Sequence, residues 1–488
     1  MTDVLVIGAG PAGLAAAAAA REAGGTVTLL DSSDLLGGQY WRHLPSSRPA
    51  ERERLLHHGW DTFAGLRERL ASDPHVRIET SAQVWAVERG TGVPVVVHAL
   101  VGPPDAHGRE RVALRPDAVV FATGAHDRTL PFPGWDLPGV FTGGAAQALA
   151  KGERIAVGRR VLVAGAGPFL LPVAASLTQA GAAVVGVLEA NRLSTLAKGW
   201  SRRPWHLWST HAKARELAGY AARHLRHGIP YRTGRAVVAA HGTDRVTSVT
   251  TMAVDRAWAP VAGTERVIDV DALCVSHGFT PRLELAVAAG CSLSPDRFVT
   301  TDRDQQTSVP GLYAAGEITG IGGVDLALAE GRIAGWFAAG GRIDDRAIDH
   351  DLRQRDVYRA FAARLAQAHG IGSGWTRWLE HDTVVCRCEE VSFGRLCGAA
   401  DATMTTSLRS LKLSSRAALG ICQGRVCGRS VEEILGSRAT GAPARDGVVA
   451  DQRPIAAPIR IGDLAARQGS PPPHAPPTSP SQTPNETE

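Results

Sequence analysis

Gly8-x-Gly10-x-x-Gly13, set between an aliphatic strand and an alanine-rich helix in DVLVIGAGPAGLAAAAAAREAG, narrows the possible folds of this chain more than any other segment. In a strand–turn–helix unit each glycine has a mechanical task. Gly8 permits the tight turn, Gly10 lets the backbone approach a pyrophosphate, and Gly13 lets helix and strand pack closely. The pyrophosphate then sits at the positive end of the helix dipole. The next strand, TVTLLDSS, contains Asp31, 18 residues past Gly13, where an acid can hydrogen-bond a ribose hydroxyl. A bare glycine pattern is a weak signal, but strand, helix, strand and acid in this order specify a nucleotide-binding βαβ unit.

The module recurs about 150 residues downstream as RVLVAGAGPFLLPVAASLTQAGAAVVGVLE. That distance marks duplication of a whole fold module, not a short solenoid repeat. The copy reads Gly165-x-Gly167-x-x-Leu170, so a bulky side chain stands where close helix–strand packing wants glycine. Glu189 still ends the following strand, as a ribose-binding acid does. Three states stay open for this module: purely structural, holding another adenine nucleotide, or using NAD(P)H, the last opposed by Leu170.

A length of 488 residues predicts several domains, and 44% hydrophobic with 21% charged residues is ordinary for a soluble protein. The net charge of +5 is spread along the chain without a basic run or stripe, which argues against nucleic acid as a partner. The longest apolar stretch, 161–177, is interrupted by glycine and proline, so no transmembrane segment is expected. The first strand starts at Val4 with no basic leader before it. A cytoplasmic location is the expectation, with peripheral attachment at the inner membrane face left open.

There are 7 cysteines, an odd number with four gathered late in the chain. This pattern suits a reducing compartment and a metal site better than a disulfide framework. Cys386-x-Cys388 and Cys422-x4-Cys427 are separated by 33 residues. Zinc sites favour Cys-x2-Cys knuckles, whereas two irons need a wider cage, so a [2Fe–2S] cluster is the expectation and structural zinc the alternative. Cys397 is a spare, and Cys274 and Cys291 are solitary residues in apolar surroundings. Without a Cys-x-x-Cys pair in either nucleotide module, disulfide reduction is not expected. His126 and His277 are lone histidines, more often packed or surface residues; neither is assigned as a general base, and no catalytic residue is named.

Three further segments carry a resemblance. Gly37-Gly38-Gln39 follows the first acid, Val119-Val120-Phe121-Ala122-Thr123-Gly124 is an apolar strand ending in Ala-Thr-Gly, and Gly311-Leu312-Tyr313-Ala314-Ala315-Gly316-Glu317 comes late. Together with the first module they resemble the two-dinucleotide-binding flavoproteins over residues 1 to about 340. The resemblance implies FAD, held by Gly8, Gly10, Gly13, Asp31, Gly38, Gln39, Thr123, Gly124, Gly316 and Glu317, with Val84 at the backbone contact to adenine. Glu317 stands where the family usually has the shorter Asp on the ribityl chain. The stretch Gly420-Ile421-Cys422-Gln423-Gly424-Arg425-Val426-Cys427 resembles the bacterioferritin-associated-ferredoxin-like domain, a small helical [2Fe–2S] fold.

The whole arrangement, with LPGVFTGGAAQ and CRCEEV…CQGRVC, resembles the A or alpha subunits of opine oxidases, the B subunit of hydrogen cyanide synthase, and the alpha subunits of proline or hydroxyproline dehydrogenases. That implies an FAD-dependent oxidoreductase subunit which transfers electrons when an amino acid, imino acid or opine is dehydrogenated. The implied partners are an amino-acid-oxidase-like flavoprotein subunit, together with a small ferredoxin-like subunit. Two alternatives remain: a self-sufficient NAD(P)H-dependent flavin and iron–sulfur reductase, and a non-enzymatic redox sensor or scaffold. The expected fold class is α/β, with two nested Rossmann-like domains plus a small helical iron–sulfur domain. The expected borders are 1–150 with 278–345 for FAD, 151–277 for the degenerate nucleotide module, and 346–383 for a helical connection. The cysteine domain follows at 384–440, then an extended segment at 441–468 and a disordered tail at 469–488, too rich in Pro and polar residues to build a core.

Overall fold

The structure is a computed structural model that describes residues 1–45, 47–48, 53–89, 95–106, 108–201, 211–342, 346–438 and 455–465. The expected tail at 469–488 and most of the segment 441–468 lie outside the described residues. The fold is mixed α/β, built on two five-stranded parallel sheets of Rossmann-like type.

In the first sheet the strands run in the order Leu312–Ala314, Ala118–Phe121, Asp3–Ile7, Thr26–Leu30, Val76–Glu79, all parallel. The second sheet has the order Tyr231–Thr233, Ala183–Glu189, Arg160–Ala166, Ala272–His277, Val140–Thr142. Its edge strand Val140–Thr142 and the following helix Gly143–Gly152 start before residue 151, so this sheet begins earlier than the sequence border. Each module also carries a three-stranded antiparallel sheet: 82–88 with 96–101 and 110–114 in the first, 235–241 with 248–253 and 266–269 in the second. The chain crosses between modules on an antiparallel ribbon, Ala125–Asp127 with Phe279–Pro281.

The alanine run of the first helix has a packing cause. Helix Pro11–Glu22 lies against helix Val324–Ala338 so closely that a Cβ on Gly331 would come within 2.2 Å of the Ala12 carbonyl oxygen, and one on Gly335 within 1.9 Å of that of Ala16. Only small side chains allow this approach. The contact fixes two helix N-termini side by side, one at the glycine turn and one beside Glu317.

A 20-residue helix, Asp349–Ala368, and a 3-10 segment, Ser373–Trp378, lead to the cysteine region. That region contains the short strands Val384–Cys386 and Val391–Ser392 and the helices Phe393–Thr403, Leu408–Ser415 and Gly428–Arg438. It is not an appended bead. Cys386, Cys427, Leu396, Leu411 and Val431 share one continuous apolar core with Leu130, Phe132, Leu162, Val275 and Trp258 of the body. The described part of the late segment also packs down: Ile455, Ala457 and Ile459 cover Trp85 and Leu100, and a short helix, Ile461–Ala465, follows.

Candidate functional site

At the first glycine turn, Gly8 has φ +105°, and a Cβ there would meet the Ala122 carbonyl oxygen at 2.3 Å. Gly13 backs onto the carbonyl of Gly8 itself, 1.7 Å from where its Cβ would stand. Gly10 differs: its Cβ would have only the Cα of Gly38 nearby, at 3.9 Å, and otherwise open space. Leu14 donates to the Gly10 carbonyl at 3.0 Å, starting the helix there. The amides of Ala12 and Gly13, in the first turn, have no acceptor within the helix and are left for a ligand in that open space. This is the cradle a pyrophosphate needs. Asp31 is buried and accepts from the Ala9 amide at 2.6 Å and the Ser33 amide at 2.7 Å. A carboxylate has about four acceptor positions, so two remain for ribose hydroxyls.

Around this turn, Gly38 packs against Gly10 while Gln39 is exposed. The Thr123 hydroxyl donates to the Arg282 carbonyl at 2.8 Å, and the Arg282 amide donates to that of Gly124 at 2.9 Å, tying the Ala-Thr-Gly turn to the returning chain. Val84 sits in the antiparallel strand Ala82–Glu88 beside a bulge and belongs to the core. Glu317 is half-buried with one backbone donor, Gly323; desolvation pushes its carboxyl up to about 7, against the pull of that N–H.

Glu330 was missed by sequence reasoning. It accepts from the Gly316 amide at 3.1 Å, the Thr319 hydroxyl at 2.5 Å, and Arg359 Nε at 2.9 Å and Nη2 at 2.8 Å. It braces the late glycine turn against the connecting helix. The available signal was an acid in the middle of the largely apolar helix VDLALAEGRIAGWFA. Also unforeseen is Lys151, buried over the Tyr40 ring at 5.7 Å, with burial pulling its amine down to about 8. The nearby Lys213 ammonium bridges Asp325 at 2.7 Å and Glu216 at 3.0 Å.

The second module is built differently. Leu170 is fully buried, and the helix begins at Leu170, not directly after Gly167. The amides of Leu170 and Leu171 are consumed by Gly167 and Pro168 carbonyls at 3.2 and 3.1 Å. Glu189 is fully buried and accepts four hydrogen bonds, from the Gly167 amide (2.8 Å), the Asn191 amide and side chain (both 3.0 Å) and His369 Nδ1 (3.0 Å). Trp200 donates to the other ring nitrogen of His369 at 3.3 Å, which assigns the proton to Nδ1. This carboxylate has no acceptor position left for a ribose.

The four late cysteines come together. Their sulfurs form a hydrogen-bonded chain, Cys386–Cys427–Cys422–Cys388. Hydrogen bonding from Cys427 brings Cys386 down to about 6 and Cys422 to about 4, while Cys427 itself is pushed up. Burial raises Cys388. Backbone amides of Ala418 and Glu389 point at Cys386, and those of Gly424 and Val426 at Cys422. Positive φ values at Arg416, Ala418, Gln423 and Gly424 shape the loop that aims them. Among the described residues no group of three or more His, Cys, Asp or Glu is arranged as a metal-ion cage; the sulfurs lie in a line of contacts. Cys397 stands outside this line. Cys274 and Cys291 are buried separately in apolar cores.

His126 is half-buried in the crossing ribbon, and desolvation lowers its pKa. His277 is buried and pulled down to about 3 by desolvation. The Glu284 carboxylate opposes the shift of His126, whose Nε2 meets the Arg425 carbonyl at 3.3 Å.

Comparison with known proteins agrees with this geometry. The profile of the pyridine nucleotide-disulphide oxidoreductase family matches residues 2–339. The A subunit of an opine oxidase from Rhizobium meliloti is 31% identical over 479 residues, covering 95% of this chain and 87% of that protein. The HcnB subunit of hydrogen cyanide synthase from Pseudomonas protegens is 30% identical over 438 residues, covering 87% and 89%. Among solved structures, L-proline dehydrogenase from P. horikoshii superposes with a TM-score of 0.66 at 22% identity, over 95% of this chain and 79% of that one, a likeness of fold. No helix among the described residues is long and apolar enough to cross a membrane.

Proposed function

Because this chain belongs to the pyridine nucleotide-disulphide oxidoreductase family and is an FAD-dependent oxidoreductase, we propose that it is the electron-transferring subunit of a heteromeric dehydrogenase or oxidase for an amino acid, imino acid or opine. The observation that carries this reading is the meeting of four cysteine sulfurs in a region sharing its core with the nucleotide modules.

Oxidising an amine to an imine breaks one C–H and one N–H bond and releases two electrons and two protons. FAD supplies a group that accepts both electrons together, whereas a [2Fe–2S] cluster carries one. Asp31, the Ala12 and Gly13 amides and the space before Gly10 would hold the FAD pyrophosphate and ribose; Gly38, Gln39, Thr123, Gly124, Gly316 and Glu317 would line the rest. Cys386, Cys388, Cys422 and Cys427 would hold the cluster. Four sulfur donors with backbone amides aimed at them suit iron–sulfur ligation, since hydrogen bonds to sulfur tune its potential.

The substrate-oxidising partner would be an amino-acid-oxidase-like flavoprotein subunit, and the further member of the complex a small ferredoxin-like subunit. The names of the relatives as components of an oxidase and a synthase support this assembly. The saturated Glu189 and the spent helix amides disfavour an NAD(P)H-fed reductase.

The test is anaerobic purification with iron, sulfide and FAD determined per chain. About two irons and two sulfides, with a spin-half EPR signal after dithionite that Cys422→Ser removes while FAD stays bound, is the expected result. Stoichiometric zinc without iron would overturn the relay.

A further inference from the structure

The segment Cys422–Cys427 contains a charged residue that ligation does not need. Arg425 is half-buried, and its guanidinium reaches three separate parts of the molecule. Nε pairs with Glu284 of the FAD module, Nη2 donates to the Ala456 carbonyl of the late segment, and Nη1 donates to the Cys422 carbonyl at 3.3 Å. Its own carbonyl meets His126 Nε2 at 3.3 Å, on the crossing ribbon that follows Thr123-Gly124. So one residue contacts the cysteine loop on one side and the flavin module on the other.

The neighbouring contacts point the same way. Arg297 pairs with Glu432 at 2.8 Å, Arg128 pairs with Glu433, and the Ser430 hydroxyl donates to the Thr129 carbonyl at 2.9 Å. All three join the FAD-side chain to helix Gly428–Arg438, directly after Cys427. The other cysteine pair is tied through Trp135 Nε1, which donates to the Val384 carbonyl at 2.6 Å. Arg425 alone of these lies between the two cysteines of its pair.

We propose that Arg425 is the positioning residue that sets the cysteine site against the flavin module, so that electrons cross at a fixed separation beside His126 and not by swinging of a domain. This rests on the reading of the four cysteines as a cluster site. The physical reason is the fork: a planar guanidinium aims donors from three separate nitrogens at a carboxylate and two carbonyls, whereas the three donors of a lysine share one nitrogen.

The experiment compares wild type, Arg425→Lys, Arg425→Ala and Glu284→Gln in the full FAD-loaded chain. Iron, sulfide and the EPR signal are measured on the same samples. Amide hydrogen exchange over residues 420–428 reads the position of the loop, and flash photoreduction of the flavin reads the rate of transfer to the cluster. Arg425→Ala is expected to keep FAD and iron, lose exchange protection in the loop, and slow transfer on the order of 10- to 100-fold, the scale of a 1 Å misplacement. Glu284→Gln should have a smaller effect in the same direction, and Arg425→Lys should restore part of it. Unchanged loop protection in Arg425→Ala overturns the positioning role whether or not iron is present. Lost protection with an unchanged transfer rate, in iron-loaded protein, overturns its link to electron transfer. Absence of iron in the wild type refutes the cluster reading and leaves the exchange result to decide the position of the loop.

Discussion

Glu317 makes stability depend on pH in a way that can be worked out from its surroundings. It is half-buried, with one amide donor, and desolvation raises its carboxyl from 4.5 to about 7. The folded chain thus holds this proton more tightly than the unfolded chain. The associated stability is fully present below pH 4.5 and is lost as pH rises through 7. A shift of about 2.5 units corresponds to about 3 kcal/mol across that window. Glu317→Gln keeps the shape and removes the titration. Urea unfolding of FAD-depleted protein at intervals from pH 4.5 to 8 should therefore show the wild type losing about 3 kcal/mol relative to the variant, while the other titrating groups cancel in the difference. A difference that stays flat over this range would refute the assignment of a proton-holding Glu317. In FAD-loaded protein the same curve should flatten if a ribityl hydroxyl supplies the missing donor.

Three other outcomes follow from contacts in the structure. NADH and NADPH should reduce the flavin far more slowly than an ordinary turnover of about 10 per second, since Glu189 is saturated; stopped-flow bleaching at that rate would show the second site to be open. Gly335→Ala places a Cβ 1.9 Å from the Ala16 oxygen and should cost roughly 1–3 kcal/mol with loss of FAD retention, whereas Gly65→Ala, on an open helix face, should stabilise by roughly 1 kcal/mol; equal urea midpoints would contradict the close helix contact. His369→Ala strips one donor from the buried Glu189 and should cost about 1–3 kcal/mol, read by thermal unfolding at constant FAD; a shift indistinguishable from wild type would mean the contact contributes nothing.

The parallel sheets were legible because their signals are local. Glycine spacing, aliphatic strands and terminal acids lie within 30 residues of one another, and the turn chemistry leaves few alternatives. The gathering of the four cysteines was legible through spacing and resemblance. What escaped was long-range. Nothing near Glu189 announces that His369, 180 residues on, fills its last acceptor position. Nothing in CQGRVC says that its arginine reaches Glu284 and Ala456. The border at 151 erred because Val140–Thr142 is three residues long, too short to show a strand period, and gains its place only by pairing with Ala272–His277. Glu330 was overlooked because an acid in a helix is normally a solvated one; here Gly316, Thr319 and Arg359 replace the water.

The second module shows why a degenerate nucleotide motif can keep its acid. Glu189 no longer has lone pairs to offer a ribose, yet its four bonds tie down separate pieces of chain. Gly167 closes the glycine turn. His369 secures the end of helix Asp349–Ala368, where Gly199 also packs so tightly that a Cβ would stand 2.6 Å from Ala368. Asn191 passes the connection to Trp258, whose indole donates to its side chain at 3.2 Å. Trp258 in turn stacks on Trp378 at 6.0 Å and accepts its N–H at 3.0 Å. Trp375 of the same segment donates to Glu433, on the helix after Cys427. An unpaired carboxylate at this depth would be expensive, so the acid is retained only because these donors are in place. Leu170 is fully buried and fills the core where a glycine would leave room. These contacts link the second sheet to the segment that leads to the cysteines.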